Sequence, residues 1–176
     1  MITRIALGRF VTAIGIAVLL AAMHASAVRA ADSNKACALL TSGEIEGVFG
    51  SGISMTARDI VIAGTDLCTG RSATAEIVLR LRTGLDPGRD RTGQKERKGL
   101  ELIKKMGAQV DVKTFGPVVC STIIPTGEMA KVGYNTTCTV SKDTAVAGIE
   151  VQVAKQTDMI PIERLRPLAE KMAARF

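Results

Sequence analysis

Residues 117–140 read PVVCSTIIPTGEMAKVGYNTTCTV, and this stretch decides the fold. β-Branched residues are concentrated at its two ends, while proline and glycine lie in its middle, a pattern typical of two strands joined by a turn. If the hairpin is centred on Met129, Cys120 and Cys138 lie at equal distances from the centre and face each other within reach of a disulfide. The sequence therefore predicts an antiparallel hairpin carrying a Cys120–Cys138 bridge.

The other two cysteines, Cys37 and Cys68, are then expected to pair with each other. Four cysteines in an oxidising compartment favour a disulfide framework. The Cys37–Cys68 bridge would close a loop of about thirty residues and contribute roughly 3–4 kcal/mol in the chain-entropy description. The alternatives are four buried free thiols, or a metal site of four thiolates, for which the paired short spacings are absent.

The N-terminus has the parts of a secretory signal peptide. Two arginines precede an apolar run at residues 11–23, and small residues follow it. Cleavage fits after Ala27 or after Ala30, and we expect the second. Residues 1–30 are then the signal peptide and residues 31–176 a single domain in the periplasm or outside the cell.

We expect no membrane attachment after cleavage. An uncleaved anchor is the alternative, but the apolar run is shorter than the ~20 residues that a membrane span needs. A lipid anchor would require a cysteine at the cleavage point, and Cys37 follows Asn34, Lys35 and Ala36 instead. Cys37 is therefore interpreted as half of a disulfide.

Histidine is absent from the predicted mature chain, because His24 lies in the signal peptide. Catalytic arrangements of Ser-His-Asp and Cys-His, and zinc sites that use histidine, are thereby excluded. No phosphate-binding glycine loop and no Cys-x-x-Cys motif occurs, so we expect no cofactor and no metal. A small secreted hydrolase that uses carboxylates remains an alternative, with four candidate acids: Asp86, Asp90, Glu101 and Glu128.

The remaining elements indicate an α+β fold. Thr41 and Glu44 have the spacing of a capping box for a helix over residues 42–48 that Gly50 ends. Further elements are expected in chain order: a strand at 59–63, a half-buried strand at 75–82, a helix through 99–106, four strands within 109–154 and an amphipathic helix at 161–176. The sequence thus predicts an antiparallel β-sheet of about five to six strands, covered on one side by helices and carrying two disulfides.

Residues 37–50 also carry a family resemblance. The pattern Cys-Ala-Leu-Leu-Thr followed by Glu44 and Gly50, together with the order of elements, resembles the DUF3558-like small exported bacterial domains. The resemblance implies a fold similar to Mog1/PsbP and an envelope location, and it supplies no catalytic residues. This chain differs from the lipoprotein members because it has no anchoring cysteine.

The predicted function is a non-catalytic envelope or periplasmic binding or interaction module. A strongly basic stretch offers a contact for an anionic partner, such as lipid headgroups, envelope polysaccharide or an acidic protein, through Arg89, Arg91, Lys95, Arg97 and Lys98. A solvated loop and helix face is the alternative interpretation of these charges. Nucleic acid is not expected, because no aromatic residues are interleaved for stacking. A protein inhibitor that presents the loop at residues 125–133 is a further alternative.

Overall fold

The structure is a computed structural model that describes residues 34–60, 62–85 and 94–176, without the side chains of residues 94–97, 128 and 132. The predicted signal peptide and part of the basic stretch lie outside these residues. The seven strands are β1 (Thr56–Arg58), β2 (Thr65–Arg71), β3 (Ala75–Arg82), β4 (Gln109–Phe115), β5 (Val118–Ile124), β6 (Tyr134–Lys142) and β7 (Ala145–Val153). The helices are α1 (Ser42–Phe49), α2 (Gln94–Lys105) and α3 (Ile162–Ala173), with short 3₁₀ helices at Gly127–Val132 and Gln156–Asp158.

All seven strands form one antiparallel sheet in the order β1-β2-β3-β7-β6-β5-β4. The sheet therefore consists of two meanders, β1–β3 and β4–β7, that meet where β3 pairs with β7. The α+β class is confirmed, with seven strands in place of the predicted five to six. The strand predicted at residues 59–63 is wrong, because the chain reverses there between β1 and β2, and Ile62 is exposed rather than paired.

The core lies between the sheet and α3. Along β3, Ile77, Leu79 and Leu81 are buried while Arg80 and Arg82 are exposed, so the predicted alternation is confirmed. Helix α3 contributes a buried stripe to the same core: Ile162, Leu165, Leu168, Ala169 and Met172. This stripe packs against one face of β5, β6 and β7.

Both ends of α1 are as predicted. The Glu44 N–H donates to Thr41 Oγ1 at 3.3 Å, and the Thr41 N–H donates to Glu44 Oε2 at 2.8 Å. This reciprocal pair is the capping box, which satisfies backbone donors that the first helical turn leaves free. Gly50 ends the helix with a φ of 91°, a conformation that favours glycine.

Both predicted disulfides are confirmed. Cys120 lies directly opposite Cys138 in the pairing of β5 with β6. Cys37 is bonded to Cys68 of β2, with the two Cα atoms 5.1 Å apart. The segment before α1 is therefore attached to the first meander, while the second bridge lies within the second meander.

Candidate binding sites

Helix α2 presents an exposed surface that is both basic and apolar. The side chains of Leu102 and Met106 are 59% and 57% exposed. Lys98 and Lys105 are also exposed. Lys98, Leu102 and Met106 follow one another at intervals of four residues, and Lys105 comes three residues after Leu102, so all four lie on one side of the helix. We call these four residues the α2 patch.

The apolar residues Leu100, Ile103 and Met106 recur every three residues along this helix and are only partly packed. Leu100 and Ile103 are half-buried, while Met106 faces solvent. Of the strands, β4 is the one that α2 packs against most, and Val112 of that strand is itself 39% exposed. The apolar side of α2 is therefore wider than the surface that the sheet covers.

The charges of the α2 patch are not neutralised within the described part of the chain. Lys104 forms an ion pair with Glu101 at 3.1 Å, whereas Lys98 and Lys105 form none among the described residues. Of the other predicted contact residues, Lys95 and Arg97 belong to α2, although their side chains are not described. Arg89 and Arg91 lie outside the described residues.

A second candidate site lies on the face of the sheet that α3 leaves uncovered. Three adjacent strands place nine residues there in three rows, and the rows are Val78–Glu150–Thr137, Arg80–Gly148–Thr139 and Arg82–Val146–Ser141. These residues and Leu85 line a hollow of about 120 Å³. We call it the sheet hollow.

Gly148 creates the sheet hollow because it stands at the centre of the nine residues without a side chain. A Cβ atom built at this position would lie 3.2 Å from Thr139 Cγ2 and would fill the floor. Glycine inside a strand marks a close approach or a gap in the side-chain surface. Gly148 stands directly before the alternating residues 149–153, so the sequence shows a glycine within this strand. Sequence reasoning did not identify a site from it.

One end of the sheet hollow is held by a hydrogen-bonded network. Arg80 lies 3.9 Å from Glu150, and Glu150 accepts a hydrogen bond of 2.7 Å from Asn135 Nδ2. The Thr137 hydroxyl donates to Asn135 Oδ1 at 2.6 Å. Glu150 is therefore engaged by two partners, and the charge of Arg80 has a counter-ion.

The other end of the sheet hollow carries Arg82. This side chain is exposed and forms no ion pair within the residues that the structure describes. Leu85 closes this end, because its N–H donates to the Thr144 carbonyl at 2.9 Å and holds the segment after β3 against the β6–β7 turn.

The carboxyl groups with shifted pKa values lie at ion pairs and not in a cavity. Arg175 and the Thr41 N–H lower the pKa of Glu44 from 4.5 to about 2. Lys113 lowers the pKa of Glu163 through a contact of 2.9 Å. A lowered pKa keeps a carboxylate ionised, whereas a general acid requires a raised one.

Of the four candidate acids of the hydrolase alternative, Glu101 is the one with a described side chain. Asp86 and Asp90 lie outside the described residues, and the side chain of Glu128 is not described. Glu101 is exposed and paired with Lys104. Across the described part of the chain, no group of three or more His, Cys, Asp or Glu side chains could hold a metal ion.

Within residues 34–60, 62–85 and 94–176, no helix has the length and apolar content needed to cross a membrane. No protein-family model and no curated protein matches the chain. The solution structure of cyanobacterial PsbP (CyanoP) from Synechocystis sp. PCC 6803 is similar at 10% sequence identity and a TM-score of 0.42, over 71% of this chain and 81% of that chain. A similarity of this strength carries no conclusion about function, and the resemblance of residues 37–50 to the DUF3558-like family stays a prediction.

Proposed function

We propose that this protein is an exported, non-catalytic binding module that attaches to anionic lipid headgroups of the envelope through the α2 patch and the basic residues around it. The observation that carries the proposal is the exposure of Leu102 and Met106 beside Lys98 and Lys105. Isolated exposed apolar residues are common on protein surfaces. Two on one helical face, bordered by lysines that form no ion pair in the described part of the chain, match the interface between anionic headgroups and acyl chains.

The energetics favour a reversible contact. Each Lys or Arg close to an anionic membrane surface contributes about 1 kcal/mol, and this contribution falls off within a Debye length. The predicted contact residues Arg89, Arg91, Lys95 and Arg97 would add to Lys98 and Lys105. The two apolar side chains would add the transfer of their exposed area out of water.

Export is supported by the two disulfides, which are typical of oxidising compartments. A non-catalytic role is supported by the predicted mature sequence, which has no histidine, and by the lowered pKa values of Glu44 and Glu163. We propose the periplasm or the cell exterior as the location.

Vesicle sedimentation tests the proposal. The full chain is expressed with its own N-terminus and purified after any processing by the cells. It is then mixed with vesicles of phosphatidylglycerol and phosphatidylcholine, or with vesicles of phosphatidylcholine alone. We expect binding to the anionic vesicles at low salt, and much weaker binding at high salt or to neutral vesicles.

Two pairs of variants separate the contributions of charge and apolar area. Lys98→Gln with Lys105→Gln should weaken binding about tenfold or more, while Lys35→Gln with Lys155→Gln removes the same charge elsewhere and should change it less. Leu102→Ser with Met106→Ser should also weaken binding, whereas Ile62→Ser, at a position 61% exposed, should not.

Three results would overturn the lipid assignment. These are equal binding to neutral and anionic vesicles, equal loss in the patch variants and their controls, and binding that salt leaves unchanged. Binding to isolated envelope polysaccharide or to an acidic protein without vesicle binding would assign the basic surface to another anionic component.

A further inference from the structure

The sheet hollow has a chemical character distinct from that of the α2 patch. Its base is backbone at Gly148, and half-buried aliphatic side chains border it at Val78, Val146 and Leu85. Hydroxyl groups of Thr139 and Ser141 lie along the β6 side. The surface therefore combines a small apolar bed with polar groups at fixed positions, which is the usual composition of a small-molecule site.

The charge balance of the sheet hollow favours an anion at one end. Glu150 is the acid that lines the hollow, and it is engaged by both Arg80 and Asn135. Arg82 is left without a counter-ion among the described residues. It stands in the same row as Ser141, with Val146 between them. A guanidinium group binds the two oxygens of a carboxylate through parallel N–H donors, and the Ser141 hydroxyl on the far side of Val146 can add a third donor.

The rows set the length of the ligand. Successive rows are two residues apart along each strand, which is about 7 Å. An anion at Arg82 thus lies one row spacing from the row of Gly148 and Arg80, and two row spacings from the row of Glu150. A short aliphatic chain spans the first of these spacings and would lie on the apolar bed at Gly148.

We propose that the sheet hollow binds a small aliphatic carboxylic acid, with its carboxylate at Arg82 and Ser141 and its hydrocarbon chain across Gly148. This site lies on the sheet face that α3 leaves uncovered, and its occupant is a soluble small molecule. The proposal goes beyond membrane attachment and does not depend on it.

The test is an NMR titration of the ¹⁵N-labelled protein. The full chain is expressed with its own N-terminus and purified after any processing by the cells. Hexanoate is the probe, hexan-1-ol is the uncharged match, and inorganic phosphate is the anion without a chain. We expect hexanoate to shift the amide signals of Gly148, Val146 and Ser141 in a saturable way. Hexan-1-ol and phosphate should give clearly smaller shifts at the same concentrations.

Variants locate the site. Arg82→Gln should weaken hexanoate binding about tenfold, the loss expected for a charge-assisted contact. Arg58→Gln is the matched control, because Arg58 is an exposed arginine in β1, on the same sheet face and outside the hollow. Gly148→Val should abolish binding by filling the floor, and a thermal melt of this variant reports whether the fold is retained.

Each contrary result counts against the proposal. Equal shifts with hexan-1-ol would show that the site does not recognise the carboxylate. Equal shifts with phosphate would show that it does not recognise the aliphatic chain. If Arg82→Gln and Arg58→Gln weaken binding equally, or if hexanoate leaves the Gly148 signal unshifted, the ligand does not bind in the sheet hollow. None of these outcomes bears on vesicle binding, which the α2 variants test separately.

Discussion

Arg175 and Glu44 join the segment after α3 to helix α1 through a two-pronged ion pair. Arg175 Nη1 lies 2.7 Å from Glu44 Oε2, and Arg175 Nη2 lies 2.9 Å from Glu44 Oε1. The same Nη1 atom also donates to the Leu39 carbonyl at 2.8 Å, and Lys171 reaches Glu44 at 3.3 Å. Glu44 therefore serves both the capping box of α1 and the contact between α1 and α3.

This relationship predicts a specific loss of stability in acid. The pKa of Glu44 is about 2 in the folded protein against an ordinary value of 4.5, mainly because of Arg175. A lowered folded pKa gives stability that is complete above about pH 4.5 and is lost as the pH falls towards 2. We expect Glu44→Gln to lower the free energy of unfolding by about 1–2 kcal/mol at pH 6, and the difference from wild type to shrink below pH 4.5.

Urea unfolding at several pH values between 6 and about 2 measures this difference. Glu170→Gln is the control, because Glu170 pairs with Arg166 on an exposed surface and should contribute less than about 0.5 kcal/mol. A Glu44→Gln effect that stays constant down to pH 2 would contradict the assignment.

The Cys37–Cys68 bridge should be a large contributor to stability. Its two cysteines are 31 positions apart, so the bridge removes about 3–4 kcal/mol of loop entropy from the unfolded chain. Cys37→Ala with Cys68→Ala should lower the free energy of unfolding by that amount. Peptide mapping without reduction checks the pairing, and a peptide that joins Cys37 to Cys120 would refute it.

Gly70 and Gly148 should respond differently to the same substitution. A Cβ atom at Gly70 would collide with Met55 Sδ and would lie 3.2 Å from the Ser54 carbonyl oxygen, which is backbone. At Gly148 the nearest atom is a side-chain methyl of Thr139 at 3.2 Å. We expect Gly70→Ala to cost about 1–3 kcal/mol and Gly148→Ala to cost less, as measured by thermal unfolding. Equal costs would show that Met55 and Ser54 adjust freely.

Thr136 offers a stabilising substitution. Its side chain is 1% exposed, and its hydroxyl has no hydrogen-bond partner among the described residues. Thr136→Val replaces that hydroxyl with a methyl group of similar size, so we expect the free energy of unfolding to rise by about 1 kcal/mol. Thr137→Val, which removes a hydroxyl that donates to Asn135, is the control and should not stabilise. A loss of stability in Thr136→Val would mean that the hydroxyl has a partner.

Local sequence patterns were sufficient for those elements in which the pattern itself shows which residues are buried or paired. The symmetric positions of Cys120 and Cys138 gave the register of β5 with β6, and the alternation of β3 gave its buried face. β2 follows from no local pattern, because TDLCTGR has no alternation, and it becomes a strand through its pairing with β3. The apolar run at residues 59–63 led to a wrong strand prediction, because its described residues pair with no strand.

The candidate sites were less accessible to sequence reasoning. The basic character of α2 could be predicted, but the exposure of Leu102 and Met106 depends on how little of the helix β4 covers. The sheet hollow requires Arg80 and Gly148 to be cross-strand neighbours, although they are far apart in the chain. No local pattern carries that pairing.

The positions of the two disulfides bear on how the protein can mature. Cys37–Cys68 joins the segment before α1 to β2 in the first meander, and Cys120–Cys138 joins β5 to β6 in the second. Neither bond spans the border at which β3 meets β7. Each half can therefore be oxidised while the halves are still apart, so the order of oxidation need not follow the order of assembly.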